Sequence, residues 1–115
     1  MAEYRANARA RAAARRAERD ARRDRGWAAA RCAADILRRE FGATRVVAFG
    51  SLAAGDFFDE RSDIDLAVWG TPYDRFWLAV RAVSGVDCGF EMDLVRAEEA
   101  DPRLLAAIEA GGVLL

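Results

Sequence analysis

The chain of 115 residues contains no lysine and no histidine, and only two cysteines and two prolines. Each shortage removes a class of chemistry. Without lysine there is neither a Walker A phosphate loop nor a Schiff base. Without histidine there is no Ser/His/Asp or Cys/His triad and no His-ligated zinc. Cys32 and Cys88 lie far apart, outside C-x-x-C spacing, and read as reduced, buried thiols. The N-terminus lacks the apolar core of a secretory signal, and no run approaches the roughly 18 consecutive apolar residues of a membrane span. The expectation is a soluble, cytoplasmic protein with no membrane partner. Carboxylates, hydroxyls, arginines, backbone groups and bound ions are what remain for function.

Hydrophobic residues make up 53% of the chain, but 26 of them are alanine, so the large side chains suffice for one small domain. All 18 basic residues are arginine. They are unevenly placed: residues 1–45 carry a net charge of +7 and residues 46–115 one of −8, within an overall −1. A basic arm is thus attached to an acidic body, and acidic bodies hold divalent cations or stay solvated. The division falls at 1–26 for the arm and 27–115 for the domain.

Residues 2–25 are alanine and arginine with scattered acids, a strong helix former by propensity but with almost nothing to bury. Such a helix projects, frays or lies on a partner, and Gly26 is expected to interrupt it. Trp27, Ala30, Ala34, Leu37 and Phe41, with Ile36 beside them, then form one helical apolar stripe that Gly42 ends. Arg45 to Phe49 reads as a strand, 52–62 as loop with one helical turn, and Asp63 to Trp69 as a second strand. Thr71 and Pro72 suggest an N-cap and a proline at the first helical position. Phe76, Val80 and Val83 mark the buried face of a helix ending at Gly85. Phe90 to Val95 alternates as a third strand, and Asp101 and Pro102 open a last helix through Leu104, Leu105 and Ile108. An apolar tail follows Gly111 and Gly112. The predicted order is α-β-β-α-β-α.

Asp63 and Asp65, two apart on a strand, emerge on one face about 6 to 7 Å apart at the backbone. Like charges so placed are favourable when a cation or water lies between them, and hard oxygen donors select Mg²⁺, Mn²⁺ or Ca²⁺. Asp93, on another alternating strand, joins the cluster if its strand is adjacent. Three such carboxylates can hold two ions roughly 3.5 to 4 Å apart, the spacing of phosphoryl-transfer sites. The bland reading of an isolated Asp-x-Asp is a solvated strand edge. Gly50 and Ser51 shift that balance, since a glycine ending a strand lets a phosphate approach the backbone and the serine offers hydroxyl and amide donors. Gly55 lets the loop fold back, and Ser62 caps the turn into the second strand.

Phe49-Gly-Ser51, an interval, then Ser62-Asp-Ile-Asp-Leu66, followed by Met92-Asp93-Leu94-Val95, Pro102, Leu105, Ile108 and the tail from Gly111, resembles the polymerase-beta-like nucleotidyltransferase superfamily. The likeness is to its minimal nucleotidyltransferase (MNT) proteins, over residues 27–115. The resemblance implies an α+β, two-layer fold: a small mixed sheet with helices packed on one face and a long N-terminal helix. It implies ATP or another nucleoside triphosphate as substrate and two Mg²⁺ ions as cofactor. Asp63, Asp65 and Asp93 would be the catalytic metal ligands, and Gly50 and Ser51 would hold the β and γ phosphates. It further implies transfer of AMP to a hydroxyl of a partner protein, with the chain as antitoxin of a HEPN toxin. The family often carries arginines where Leu52 and Ala54 stand here, which weakens the phosphate grip, and Arg61 is the substitute to consider.

Two other function classes compete. A non-catalytic MNT-fold module would neutralise its partner by contact alone. A nucleic-acid binder would use the 12 arginines between Arg5 and Arg39. Alanines rather than aromatics separate those arginines, so stacking platforms are missing and a solvated or partner-docked helix is preferred. Trp27, Trp69 and Trp77 read as core or interface packing and not as a base-stacking site.

Overall fold

The computed structural model describes residues 2–55, 58–86 and 89–115. It is an α+β fold dominated by its first element. Helix α1 runs unbroken through Ala2–Phe41, 40 residues. At 1.5 Å per residue it accounts for the long dimension of a molecule measuring 63 × 29 × 18 Å. The expected break at Gly26 does not occur. Gly26 is instead buried inside the helix, where a Cβ would stand 2.9 Å from Cζ of Phe58 and 3.2 Å from Cδ1 of Leu52. The missing side chain lets the helix approach, and tertiary contact outweighs the weak helix propensity of glycine.

Four strands follow: β1 (Arg45–Phe49), β2 (Ile64–Trp69), β3 (Met92–Arg96) and β4 (Val113–Leu114). Between them lie α2 (Ser51–Ala54), α3 (Phe76–Ser84) and α4 (Pro102–Gly111), with short 3-10 turns at Tyr73–Arg75 and Ala97–Glu99. The sheet order is β3-β2-β1-β4. β1 pairs antiparallel with β2 and with β4, whereas β2 and β3 are parallel. The apolar tail is thus a fourth strand, a pairing too short to leave a periodic signal. The N–H of Leu115 continues it by donating to the carbonyl of Val46.

Side-chain alternation divides the sheet into two faces. Val46, Ala48, Ile64, Leu66, Val68 and Met92 pack with Ala30, Ala33, Ala34 and Leu37 of α1 and with Ala79 and Val83 of α3. The other face carries Val47 and Ala67, covered by Ile108 of α4. The expected single helical layer is therefore corrected: α1 and α3 share one face, while α4 lies on the other. Asp101 caps α4, its carboxylate accepting the Leu104 N–H at 2.9 Å. Arg45 of β1 donates to both carboxylate oxygens of Glu109 on α4, at 2.7 and 3.2 Å.

Three further local expectations change. Pro72, not Thr71, precedes the first 3-10 turn, no side chain caps it, and the buried Thr71 hydroxyl has no partner. Cys32 is exposed because it falls off the α1 stripe; Cys88 lies outside the described residues. Of the two packing roles expected of Trp77, core or interface, the core one fails: it is 72% exposed, with Tyr73 and Leu78 exposed nearby in sequence. Among the described residues no helix is long and apolar enough to cross a membrane.

Candidate active site

The strand register brings the sequence-distant carboxylates together. Asp65 of β2 stands directly opposite Asp93 of the parallel neighbour β3. Neighbouring strands are about 4.7 to 4.9 Å apart, and residues opposite one another point to the same side. That side is the α4 face, since Ile64 and Leu66 flanking Asp65, and Met92 and Leu94 flanking Asp93, turn toward α1 and α3. Asp63, just before β2, has the same parity as Asp65 and is half-buried. Asp93 is exposed at the edge strand and Asp65 is half-buried between its neighbours. Burial, then the negative charges of Asp93 and Asp63, push the Asp65 carboxyl up to about 6.

Gly50 lies against the other side of Asp65. Its φ is +72°, and a Cβ there would stand 2.2 Å from Oδ2 of Asp65. Only glycine fits both the backbone conformation and the contact. Phe49 pairs with Asp65 across β1 and β2, so the chain reverses into Ser51 directly beside the carboxylates. Ser51 is half-buried at the start of the single turn α2, which Gly55 ends with its N–H bonded to the Ser51 carbonyl at 3.0 Å.

In a chain rich in arginine, none of the three aspartate carboxylates is neutralised by one among the described residues. Nor do any three Asp, Glu or Cys side chains there form a closed metal-binding group. The donors amount to a facing pair with a third nearby. Mg²⁺ suits such an open set, because it is commonly held by one or two carboxylates while phosphate oxygens and water complete its octahedron. The oxygen chemistry and the unneutralised charge around Asp65 therefore fit the cation.

The arginines are elsewhere. Leu52, where a loop arginine was missed in the sequence, is fully buried in the core, and Ala54 is exposed. Arg61 is exposed; its backbone N–H donates to Oδ1 of Asp59 at 2.8 Å and is the chief cause that holds the Asp59 carboxyl below its usual range. Ser62 caps that turn, its hydroxyl accepting the Asp59 N–H at 3.0 Å. An arginine that the sequence reading left unassigned, Arg23 of α1, reaches the end of α2: its Nη2 lies 2.8 Å from where a Cβ on Gly55 would stand. Its signal was available, since Arg23 sits three residues before Gly26 on the stripe that becomes buried. A groove of about 730 Å³ between α1 and residues 58–60, lined by Arg15, Arg19, Arg22, Phe58 and Asp59, includes none of Asp63, Asp65 and Asp93 and neither Gly50 nor Ser51.

The sequence model of the family described as Polymerase beta, Nucleotidyltransferase matches residues 33–115. The chain belongs to that family. Among solved structures, this nucleotidyltransferase fold resembles one described as a minimal nucleotidyltransferase, with 27% identity, a TM-score of 0.60 and coverage of 84% of this chain and 91% of that one. It also resembles a toxin-antitoxin structure with AMP-PNP, with 23% identity, a TM-score of 0.59 and coverage of 70% and 66%. A toxin-antitoxin MntA-HpeT mutant gives 19% identity, a TM-score of 0.58 and the same coverage. The chain spans just under two thirds of those two chains, and at such identities the likeness speaks for fold alone. No curated protein matches the sequence. The family match starts inside α1, so Arg23 and the projecting arm lie outside it.

Proposed function

We propose that the protein is a Mg²⁺-dependent nucleotidyltransferase that moves AMP from ATP to a hydroxyl of a partner protein, acting as the antitoxin of a HEPN-type toxin. The observation that carries this reading is the register that sets Asp65 against Asp93 beside the Gly50 and Ser51 bend. In this reading Asp63, Asp65 and Asp93 hold the metal, and Gly50 and Ser51 hold the β and γ phosphates. The metal, when bound, neutralises charge on the triphosphate and lowers the pKa of an oxygen it contacts. Asp93, the most exposed of the three, accepts the proton of the acceptor hydroxyl as its oxygen bonds to the α-phosphorus; the α-β bridging bond breaks and pyrophosphate leaves. Gly50 keeps the approach to Asp65 open. Positioning and fixed charge account for most of the acceleration in such transfers. The partner is inferred from kinship: chains of like fold are toxin-antitoxin components.

A contact-only antitoxin is the second reading, and one observation favours it: the turn after Ser51 carries no cation of its own. Labelled ATP incubated with the candidate toxin and Mg²⁺ separates the two. We expect label on the toxin, lost by at least a hundredfold when Asp63→Asn and Asp65→Asn are combined. Transfer undiminished by the double change rejects the enzyme; neutralisation of the toxin without any transfer by the unaltered protein establishes the contact-only module.

A further inference from the structure

One arginine of the arm is half-buried yet has no polar partner among the described residues. Arg23 is half-buried, its Nε is sealed from solvent with no hydrogen-bond partner, and no carboxylate pairs with it among the described residues. Burying part of a guanidinium without a partner is unfavourable, and such groups ordinarily find an anion or a carbonyl. Arg22, its neighbour in sequence, does so, donating to the carbonyls of Asp59 (2.9 Å), Glu60 (3.3 Å) and Gly89 (3.2 Å). The contrast marks Arg23 as a cation held in place for something outside the protein. The sealed Nε cannot itself meet a ligand; the end of the guanidinium that lies toward the turn is Nη2.

Its position says what kind. The guanidinium lies against Gly55, the residue that ends the turn opened by Ser51, and Gly55 has a φ of +89° and no side chain to block the approach. Gly26, one turn further along α1, lets the helix sit close enough to Leu52 of the same turn for Arg23 to reach it. The turn itself, Ser51-Leu-Ala-Ala54, has no charge. A triphosphate beside Asp63, Asp65 and Asp93 would bring several negative charges to an already acidic corner, and divalent ions alone would have to balance them.

We propose that Arg23 is a phosphate-binding residue of the nucleotide site, delivered by the N-terminal helix to bind the terminal phosphate of a nucleoside triphosphate seated on the Gly50 to Gly55 turn. The arm would then complete the site. This rests on the nucleotidyltransferase reading above. A guanidinium is suited to the task because its fork matches two phosphate oxygens at once and stays charged at every relevant pH.

The test is calorimetric titration of the full chain with Mg-AMP-PNP and, separately, with AMP, which lacks the β and γ phosphates. Arg23→Gln should weaken Mg-AMP-PNP at least tenfold and AMP less than twofold, Arg23→Lys should fall between, and Arg19→Gln, on an exposed part of the arm, should change neither. In unaltered protein, Mg-AMP-PNP but not AMP should slow modification of Arg23 by phenylglyoxal, mapped by mass spectrometry; that measurement stands even if Arg23→Gln misfolds. Unchanged Mg-AMP-PNP affinity in folded Arg23→Gln, equal losses for both ligands, or no protection of Arg23 each overturn the inference while leaving the enzyme reading in place. Failure of the unaltered protein to bind Mg-AMP-PNP overturns both.

Discussion

Asp65 carries the largest electrostatic strain at the proposed centre, and its consequence has a definite sign. Its carboxyl titrates near 6 in the folded chain against the usual 3.8, chiefly through burial and then through Asp93 and Asp63. The folded state thus holds this proton more tightly than the unfolded state. Its contribution to stability is complete below about pH 3.8 and is lost as pH rises through about 6. Without metal, Asp65→Asn should therefore raise Tm relative to the unaltered protein, with a difference that grows between those two pH values and then levels off. Adding Mg²⁺ at neutral pH should raise Tm of the unaltered protein and leave Asp65→Asn nearly unmoved, because an ion that binds only the folded state stabilises it by mass action. Melting curves across pH, with and without the ion, measure both; a pH-independent difference would mean that Asp65 is not a strained carboxylate. Gly50 belongs to the same balance, since it leaves Asp65 the space that any side chain would fill.

At the level of elements, glycine had opposite meanings at two places that look alike in sequence. Gly42 and Gly85 do end helices, as local propensity suggests. Gly26 does not, because the gain from bringing α1 onto Leu52 and Phe58 exceeds the intrinsic penalty of about 1 kcal/mol for glycine in a helix. That gain is invisible to a reading that weighs each residue against its neighbours along the chain. Strands β1, β2 and β3 were legible because alternation and β-branching mark them, and the pairing of Asp65 with Asp93 followed once β2 and β3 were adjacent. β4 was not, since two residues cannot show a period, and neither was α4's choice of face, which depends on Ile108 finding Val47 and Ala67. Gly26→Leu should destabilise the protein by roughly 1–3 kcal/mol through overpacking. Its far-ultraviolet helix signal should stay intact, with chemical denaturation giving the loss. A stabilised Gly26→Leu would mean that the helix does not press on Phe58 and Leu52.

Considered whole, the molecule is a small sheet domain with a rod attached, and the rod is of two kinds. Up to about residue 21 nearly every side chain of α1 is solvent-exposed; from Arg22 onward it is tied down. Arg22 spans to three carbonyls of two loops and lies over the Phe90 ring at 4.5 Å, Arg23 meets the α2 turn, and Gly26 begins the buried stripe. A truncation that removes residues 2–18 deletes a helix that buries nothing, so surface-type effects within about 0.5 kcal/mol are expected. In a domain of this size that corresponds to a Tm shift of at most about 2 to 4 °C. Extending the deletion through Arg25 removes the Arg22 bridges and Arg23 together, and should lower Tm severalfold more and weaken Mg-AMP-PNP as Arg23→Gln does. Thermal melts of the two truncations beside the full chain decide the matter. If the shorter one already melted many degrees lower at high protein concentration but not at low, the exposed rod would be burying itself against a second copy, and the arm's first role would be assembly.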